Sequence, residues 1–316
     1  MKYLVTGAAG FIGNALAGSL AADGHEVVAI DNLNEYYDVS LKHDRLKNLP
    51  GAVQFIQLDV NDPKLLDLCV QEKFDGICHL AAQAGVRYSL EAPEEYIANN
   101  YVATFNILEI AKKTAIKKVV FASTSSVYGE SDKVPFCEDF AADTPVSVYA
   151  ATKRGSEILA HTYHSLYGID FIGLRFFTVY GPWGRPDMAP FIFTNKILKG
   201  EKISVFNNGN MLRDFTYIDD IVAGFKQAVA TGVGYKIYNL GNGDPVKLMD
   251  FIASIESATG KPADIEFMPM QPGDVTRTFA DISKAQQDLG YNPITHLKPG
   301  IENYVAWFRD YYRNHI

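Results

Sequence analysis

The chain has 316 residues, 47% of them hydrophobic and 21% charged, and its formal net charge at pH 7 is -8. This composition is typical of a globular protein, and the acidic balance disfavours a broad nucleic-acid-binding surface. No apolar run approaches the ~18 residues of a membrane span, so we expect neither nucleic-acid nor membrane partners. The three cysteines are widely spaced, which favours a reducing, cytoplasmic location and no metal site.

The first predicted elements are a strand, a glycine-rich turn and a helix. An apolar run over residues 2–6 precedes Gly7-x-x-Gly10-x-x-Gly13, and a helical pattern continues to Ala22. In dinucleotide-binding turns such glycines permit a tight turn, close approach of the backbone to a pyrophosphate and packing of helix on strand. Unpaired N–H groups at the start of the helix favour phosphate. The candidate cofactor-binding residues here are Gly7, Gly10, Phe11, Ile12 and Gly13.

A second predicted strand, residues 26–30, ends at Asp31. A carboxylate at this position can accept hydrogen bonds from both hydroxyls of the adenosine ribose and would repel a 2′-phosphate, so NAD+ is favoured over NADP as the cofactor. We predict a polar loop from Asn32 to Asp44 and a third strand over residues 53–58.

Strands are also predicted over residues 76–80, 119–122 and 169–177, with helices over residues 99–113 and 149–167. This alternation indicates an α/β fold with a doubly wound, mostly parallel, Rossmann-like sheet. Ligands of such sheets bind beyond the carboxyl ends of the strands. The further cofactor-binding candidates are Asp31, Asn32, Asp59, Val60, Leu80, Ala81, Ala82, Gln83 and Asn99.

Residues 178–188 are rich in proline and glycine, which indicates a crossing into a second, smaller domain. We expect residues 1–176, together with about 214–240, to form the NAD-binding domain. Residues 177–213 and 241–316 are expected to form a C-terminal α/β domain that binds the substrate.

Tyr149 and Lys153 lie one turn apart on a predicted helix, so their side chains share a face. A phenol titrates near pH ~10, and a nearby ammonium group favours the phenolate. Lowering the pKa of the phenol to about 7 requires roughly 4 kcal/mol of interaction that favours the phenolate, at about 1.36 kcal/mol per pKa unit. One close ion pair and a bound cofactor cation can supply this, so the pattern indicates a tyrosine base. The pattern is weak alone and gains weight from the glycine-rich turn.

The motifs described so far resemble, in order and spacing, the extended short-chain dehydrogenase/reductase family of nucleotide-sugar enzymes. The motifs that carry this resemblance are Gly7-x-x-Gly10-x-x-Gly13, Asp31, the segment around Thr124, and Tyr149-x-x-x-Lys153. Within the family, residues 34–42, 84–89 and 177–188 are similar to those of UDP-glucuronate 4-epimerases. The resemblance covers nearly the whole chain and implies bound NAD+ and a homodimer.

The resemblance also implies a reaction that interconverts UDP-glucuronate and UDP-galacturonate. Tyr149 removes the proton of the sugar 4-hydroxyl, hydride passes to NAD+, the 4-keto intermediate turns over, and hydride returns to its other face. Lys153 is expected to lower the pKa of Tyr149 and to hold the cofactor with it. Thr124 is expected to hydrogen-bond the 4-oxygen, which makes these three residues the catalytic set.

A uronic acid oxidised at C4 is a β-keto acid that readily loses carbon dioxide. Hydrogen bonds to its carboxylate oppose this loss, because they weaken in the transition state. Within the resemblance, Ser125, Ser126 and Thr178 are candidates for such bonds, and Arg87 and Arg185 for charge pairing. Related dehydratases carry an Asp-Glu pair where this chain has the two serines, so dehydration is disfavoured.

The resemblance extends to the nucleotide end of the substrate. Arg213 is expected to meet the diphosphate, where a guanidinium can bond in bidentate fashion, and Asp274 to reach the uridine ribose. The candidates for the uracil pocket are Pro190, Phe191, Val205 and Phe206.

Four other functions remain open from the sequence. They are an epimerase for neutral UDP-hexoses, a UDP-glucuronate decarboxylase, a net redox dehydrogenase or reductase, and a non-catalytic NAD(P)-sensing regulator. The fold alone does not decide among them. Regulators often lack the tyrosine or the lysine, so the intact Tyr149 and Lys153 disfavour the last class.

Overall fold

A computed structural model describes residues 1–131, 133–270 and 276–313 of the chain. Asp274, the residue predicted to bind the uridine ribose, lies outside these ranges. Within them, no helix combines the length and the apolar character that crossing a membrane requires.

The strands and helices alternate along the first two thirds of the chain. The strands are β1 (Lys2–Thr6), β2 (Glu26–Asp31), β3 (Val53–Gln57), β4 (Gly76–His79), β5 (Lys118–Thr124), β6 (Asp170–Phe176), β7 (Thr178–Tyr180), β8 (Lys202–Val205), β9 (Leu212–Arg213), β10 (Phe215–Tyr217), β11 (Tyr235–Leu240), β12 (Val246–Lys247), β13 (Asp264–Phe267) and β14 (Arg277–Thr278). The helices are α1 (Phe11–Ala22), α2 (Val39–Lys47), α3 (Lys64–Glu72), α4 (Tyr88–Glu91), α5 (Pro93–Tyr96), α6 (Ala103–Thr114), α7 (Val148–Tyr167), α8 (Ala189–Lys199), α9 (Ile218–Thr231), α10 (Leu248–Thr259), α11 (Ser283–Leu289) and α12 (Leu297–Tyr311).

Seven strands form one sheet in the order β11-β6-β5-β4-β1-β2-β3, and every neighbouring pair is parallel. The order reverses between β1 and β4, which is the switch point where such sheets bind ligands. The predicted doubly wound parallel sheet is confirmed. The remaining strands form short sheets, β7 with β10, β9 with β12 and β14, and β8 with β13.

Both faces of the central sheet are buried. In β1, Val5 packs into one apolar cluster with Leu16 of α1 and Phe225 of α9. Leu4, the preceding residue, packs into a second cluster with Ile107 of α6. Because successive strand residues point to opposite faces, a continuous apolar run is what a sheet covered by helices on both faces requires.

The predicted polar loop from Asn32 to Asp44 is wrong over its second half, because α2 begins at Val39. Asp38 caps this helix, and its side chain accepts a hydrogen bond from the Ser40 N–H at 2.9 Å. Two of the side chains that α2 buries are charged, Lys42 and Arg45. A helix whose inner face carries cations shows no apolar periodicity, which is why the pattern indicated a loop.

A π-helical turn, Ile97–Val102, precedes α6 in the region predicted as one helix. Such turns occur frequently at functional sites. Here the turn buries Asn100, whose amide group donates to the Gln83 carbonyl at 3.0 Å and to Thr152 Oγ1 at 3.1 Å. The turn thereby joins the loop after β4 to α7.

Candidate active site

The glycine-rich turn lies closer to the sheet than side chains would permit. Gly7 has φ +72°, and a Cβ there would lie 2.6 Å from the Ala81 nitrogen. A Cβ on Gly13 would lie 2.2 Å from the Gly7 carbonyl oxygen. The turn thus forms a bare backbone cradle at the start of α1, and this suits a pyrophosphate.

Two carboxylates stand at the ends of neighbouring strands. Asp31 is buried, and its oxygens accept hydrogen bonds from the Ala9 N–H at 3.0 Å and the Leu33 N–H at 2.8 Å. Asp59 accepts from the Asn32 side chain at 2.7 Å. The backbone contacts fix Asp31 at the end of β2, where a ribose-binding carboxylate is expected.

All of the predicted cofactor-binding residues line one cleft of about 370 Å³. The glycine-rich turn, the ends of the strands, the π-helical turn and α7 supply its walls. The predicted catalytic and substrate-binding residues that line the same cleft are Thr124, Tyr149, Lys153, Ser125, Ser126, Thr178 and Arg185.

Tyr149 lies in the first turn of α7, where the start of the helix is well defined. Ser147 is the N-cap, and its hydroxyl accepts a hydrogen bond from the Ala150 N–H at 3.2 Å. The Tyr149 ring meets the Tyr96 ring edge-on, with centroids 6.0 Å apart. The cap and the ring contact hold the phenol in the cleft.

The pKa of Tyr149 is raised overall, and the positive charge of Arg185 opposes this shift. Burial raises the pKa of Tyr149, while hydrogen bonding with Thr124 and the positive charge of Arg185 lower it. The predicted effect of Lys153 on this pKa stays a prediction. A guanidinium from the loop between β7 and α8 thus partly offsets the effect of burial on the phenol.

Lys153 is turned toward the sheet. Its ammonium group donates to the Ala122 carbonyl at 2.8 Å and lies 4.6 Å from the centroid of the Phe121 ring. Burial lowers the pKa of Lys153 to about 7, against the opposing effect of Glu157. The side chain therefore titrates in the neutral range.

Replacing this lysine should change how stability depends on pH. Unfolded lysine titrates near ~10.4, whereas the folded pKa is about 7. Between these values unfolding takes up a proton, so the free energy of unfolding rises with pH by up to about 1.4 kcal/mol per unit. We expect urea unfolding to show that the stability of the wild type, relative to Lys153→Met, increases above about pH 7. A difference that stays constant with pH would contradict the lowered pKa.

Arg185 is itself part of a small polar cluster. Its Nε donates to Asp187 Oδ1 at 3.0 Å, and Asp187 Oδ2 accepts from the Tyr36 hydroxyl at 3.2 Å. Burial lowers the pKa of Arg185, but pairing with Asp187 outweighs it and raises the pKa. The guanidinium is therefore a permanent cation at the cleft.

Several predicted substrate-binding residues do not line this cleft. The Arg87 guanidinium lies 5.1 Å from the Phe206 ring centroid, and Arg213 donates to the Thr276 carbonyl at 3.2 Å. Val205 is fully buried in the core. Phe191 packs edge-on against Phe308, and its neighbour Pro190 is buried at the start of α8. Their substrate-binding roles remain predictions.

Other residues at the cleft were not predicted from the sequence. Tyr36 and Lys42 line it, and Asp187 pairs with Arg185. Asn100 hydrogen-bonds the backbone of Gln83, which lines the cleft. Tyr36, Lys42 and Asp187 lie in segments 34–42 and 177–188, which are similar to those of one group of enzymes. This similarity indicates which segments contribute to the cleft, but it does not indicate which of their side chains reach it.

A parallel sheet with a glycine cradle, a strand-end carboxylate and a Tyr-x-x-x-Lys helix defines an enzyme of the extended short-chain dehydrogenase/reductase class. The chain belongs to the NAD dependent epimerase/dehydratase family, whose model matches residues 3–241.

Relatives match along the whole chain. An uncharacterized protein of Methanocaldococcus jannaschii is 52% identical, over 98% of this chain and 97% of its own length. UDP-glucuronate 4-epimerase 4 of Arabidopsis thaliana is 47% identical, over 99% of this chain and 76% of its own. A crystal structure of UDP-glucuronic acid 4-epimerase from Bacillus cereus, in complex with UDP-glucuronic acid and NAD, has a TM-score of 0.94 and 37% identity, covering 99% of this chain and 100% of that one.

Proposed function

We propose that the chain is a UDP-glucuronate 4-epimerase, which interconverts UDP-glucuronate and UDP-galacturonate with bound NAD+. The observation that carries this proposal is the meeting of Tyr149, Thr124 and Arg185 in the cleft that contains the glycine cradle. Relatives named UDP-glucuronate 4-epimerase support the choice of substrate.

The residues of the cleft fit the cofactor. The bare backbone from Gly7 to Gly13 would hold the pyrophosphate, and Asp31 the adenosine ribose. Lys153, buried beside the end of β5, would hold the ribose next to the reacting ring. When bound, NAD+ supplies an acceptor and then a donor of hydride for carbon C4 of the sugar.

The side chains of this protein handle the proton of the 4-hydroxyl group. The Tyr149 oxygen accepts this proton and later returns it, because the reaction has no net redox change. The Thr124 hydroxyl, which hydrogen-bonds with the Tyr149 phenol, shares the proton shift. Arg185 stabilises the phenolate that must exist before the proton is taken.

The hydroxyl groups beside Tyr149 would hold the carboxylate of the uronic acid. Ser126 already accepts a hydrogen bond from Thr124 at 3.2 Å, and Thr178 lines the cleft from the start of β7. Hydrogen bonds to the carboxylate in the ground state oppose loss of carbon dioxide.

Thr178→Ala is expected to raise the share of UDP-pentose among the products, because one hydrogen bond that restrains decarboxylation is removed. We expect an increase of about tenfold or more in the ratio of UDP-pentose to UDP-galacturonate, since a hydrogen bond to a charged group is worth about 1.5–3 kcal/mol. Product ratios measured by NMR would show it. Thr194→Ala is a matched control, because that hydroxyl is buried in α8 away from the cleft lining. Unchanged partitioning in the Thr178 variant would remove Thr178 from this role.

The direct test is to incubate the purified protein with UDP-glucuronate, without added cofactor, and to resolve the products by NMR. UDP-galacturonate as the sole product would support the epimerase and indicate retained NAD+. A UDP-pentose or a 4-keto-pentose would replace the proposal with a decarboxylase. No turnover after addition of NAD+, followed by turnover of UDP-glucose, would assign a neutral sugar. In a parallel incubation with added NADH, stoichiometric consumption of NADH would indicate a net redox enzyme.

We also propose a homodimer formed through the π-helical turn, α6 and α7. Large apolar side chains are exposed along these elements, among them Ile97, Phe105 and Ile158 at 49%, 42% and 54% exposure. Exposed apolar patches of this kind mark interaction sites, and dimers pair such a patch with its own copy.

Ile158→Glu is expected to convert the dimer into a monomer, because two buried carboxylates would face the same interface. Light scattering coupled to size exclusion measures this directly. Val233→Glu is the matched control, since Val233 is 66% exposed and lies in the turn before β11. A monomeric wild type, or a dimeric Ile158 variant, would contradict the proposed interface.

We further propose a cytoplasmic location. Cys69, Cys78 and Cys137 are all free thiols, and unpaired cysteines suit a reducing compartment. Recovery of the native protein in a membrane or extracellular fraction would contradict this assignment.

A further inference from the structure

Arg45 of α2 is fully buried and contacts the backbone of two loops that contribute residues to the cleft. Its Nη1 donates to the Ala9 carbonyl, within the glycine-rich turn, at 3.0 Å. Its Nε and Nη2 donate to the Trp183 carbonyl, in the loop between β7 and α8, at 3.1 and 2.7 Å. Among the described residues its acceptors are neutral oxygens, including the Tyr37 hydroxyl at 2.6 Å. A cation is thus buried where two loops meet.

A gain in the free energy of unfolding does not by itself explain why an arginine is buried at this position. Burying a charge is unfavourable unless it is hydrogen-bonded, and well-packed apolar residues often stabilise a protein as well as buried charges do. What arginine adds is five donors in one rigid plane. In this position, that plane fixes the oxygens of three chain segments relative to one another.

The first of the two loops hydrogen-bonds a functional side chain, and the second carries one. The Ala9 N–H donates to Asp31 at 3.0 Å, so the residue held by Arg45 also holds the strand-end carboxylate. Trp183 has φ +66°, a left-handed conformation that is uncommon for a residue other than glycine. The carbonyl of this residue is fixed by Arg45, and Arg185 follows two residues later.

We propose that Arg45 is a positioning residue that couples the glycine-rich turn to the loop carrying Arg185, a proposal that rests on the epimerase function above. Binding of NAD+ restricts the motion of the turn. Through its hydrogen bonds, Arg45 then restricts the motion of Trp183 and of Gly184, whose carbonyl it also contacts at 3.4 Å. Since coupling between binding sites is reciprocal, the UDP-sugar and NAD+ favour each other's binding.

Hydrogen exchange measured by mass spectrometry on the full chain tests this without any turnover. In the wild type, NAD+ is expected to slow exchange in residues 7–13 and also in residues 181–188. In Arg45→Met the slowing persists in residues 7–13 and disappears in residues 181–188. Lys47→Met is the control, because it removes an exposed cation from the same helix, and it is expected to behave as the wild type.

Arg45→Lys keeps the charge without the planar fork, so it tests the geometry should Arg45→Met fail to fold. We expect this variant to lose most of the slowing in residues 181–188 and to raise KM for UDP-glucuronate about tenfold, with a smaller change in kcat. The proposal is overturned if NAD+ leaves residues 181–188 unchanged in the wild type, or slows them equally in the Arg45 variants. A wild type that shows the coupling yet does not convert UDP-glucuronate would overturn the proposed function alone.

Discussion

Tyr149→Phe is expected to lower kcat for the conversion of UDP-glucuronate by about 10²–10⁴-fold. The ring of Tyr149 and its contact with Tyr96 are retained in this variant, so only the oxygen that accepts the proton is lost. Binding of NAD+ and of the UDP-sugar, measured by calorimetry, should stay close to the wild type. A low kcat with unchanged binding is the signature of a group that acts in the transition state.

Tyr163→Phe is the matched control for this experiment. It removes the same hydroxyl group from the same helix, where Tyr163 donates to Glu109 at 2.6 Å and does not line the cleft. This variant is expected to retain kcat within a factor of about three. Residual activity of the Tyr149 variant near that of the control would assign the proton transfer to another group.

The sequence predicted those parts of the site that rest on local chemistry. The glycine-rich turn can be identified because Gly7 and Gly13 leave no room for side chains. Asp31 can be identified because it ends a buried strand. Tyr149 and Lys153 can be identified because they lie four positions apart on one helix. Parallel strands then bring all these positions to the same edge of the sheet.

The sequence did not predict the parts that depend on contacts between distant segments. Asp187 accepts from Tyr36, which is 151 residues away in the chain, and no local pattern pairs them. Arg45 contacts Trp183 across 138 residues. The effect of Arg185 on the pKa of Tyr149 likewise acts between separate segments of the chain. A motif gives the residues that face the cleft, and packing decides which charges act on one another.

Glu157 and Arg175 form a buried ion pair behind the catalytic helix. Glu157 lies one turn beyond Lys153 on α7, and both partners are almost fully buried. Arg175 of β6 donates to both carboxylate oxygens, at 3.0 and 2.8 Å. Ser123 and Arg154 complete the carboxylate's hydrogen bonds, at 2.6 and 3.1 Å. This network fixes α7 against β5 and β6, and with it the direction in which Lys153 points.

Arg175→Met is expected to lower the free energy of unfolding by about 3–5 kcal/mol, because it leaves a buried carboxylate without its main partner. Replacing both residues, in Glu157→Met with Arg175→Met, should recover much of this loss, since the uncompensated charge is gone. Urea unfolding of the three proteins gives both values. The double variant also removes the negative charge that raises the pKa of Lys153, so its cofactor binding should weaken even where its stability recovers.

The control for this series is Lys226→Met, which breaks an ion pair at the surface. Lys226 and Asp23 are 27% and 47% exposed and 2.7 Å apart, and such pairs contribute about 0–1 kcal/mol. Comparing the two variants tests how burial of an ion pair affects the free energy of unfolding, because each variant removes one cation from one carboxylate. If Arg175→Met proved as mild as Lys226→Met, water or Arg154 would have to satisfy Glu157, and α7 would not depend on this pair for its position.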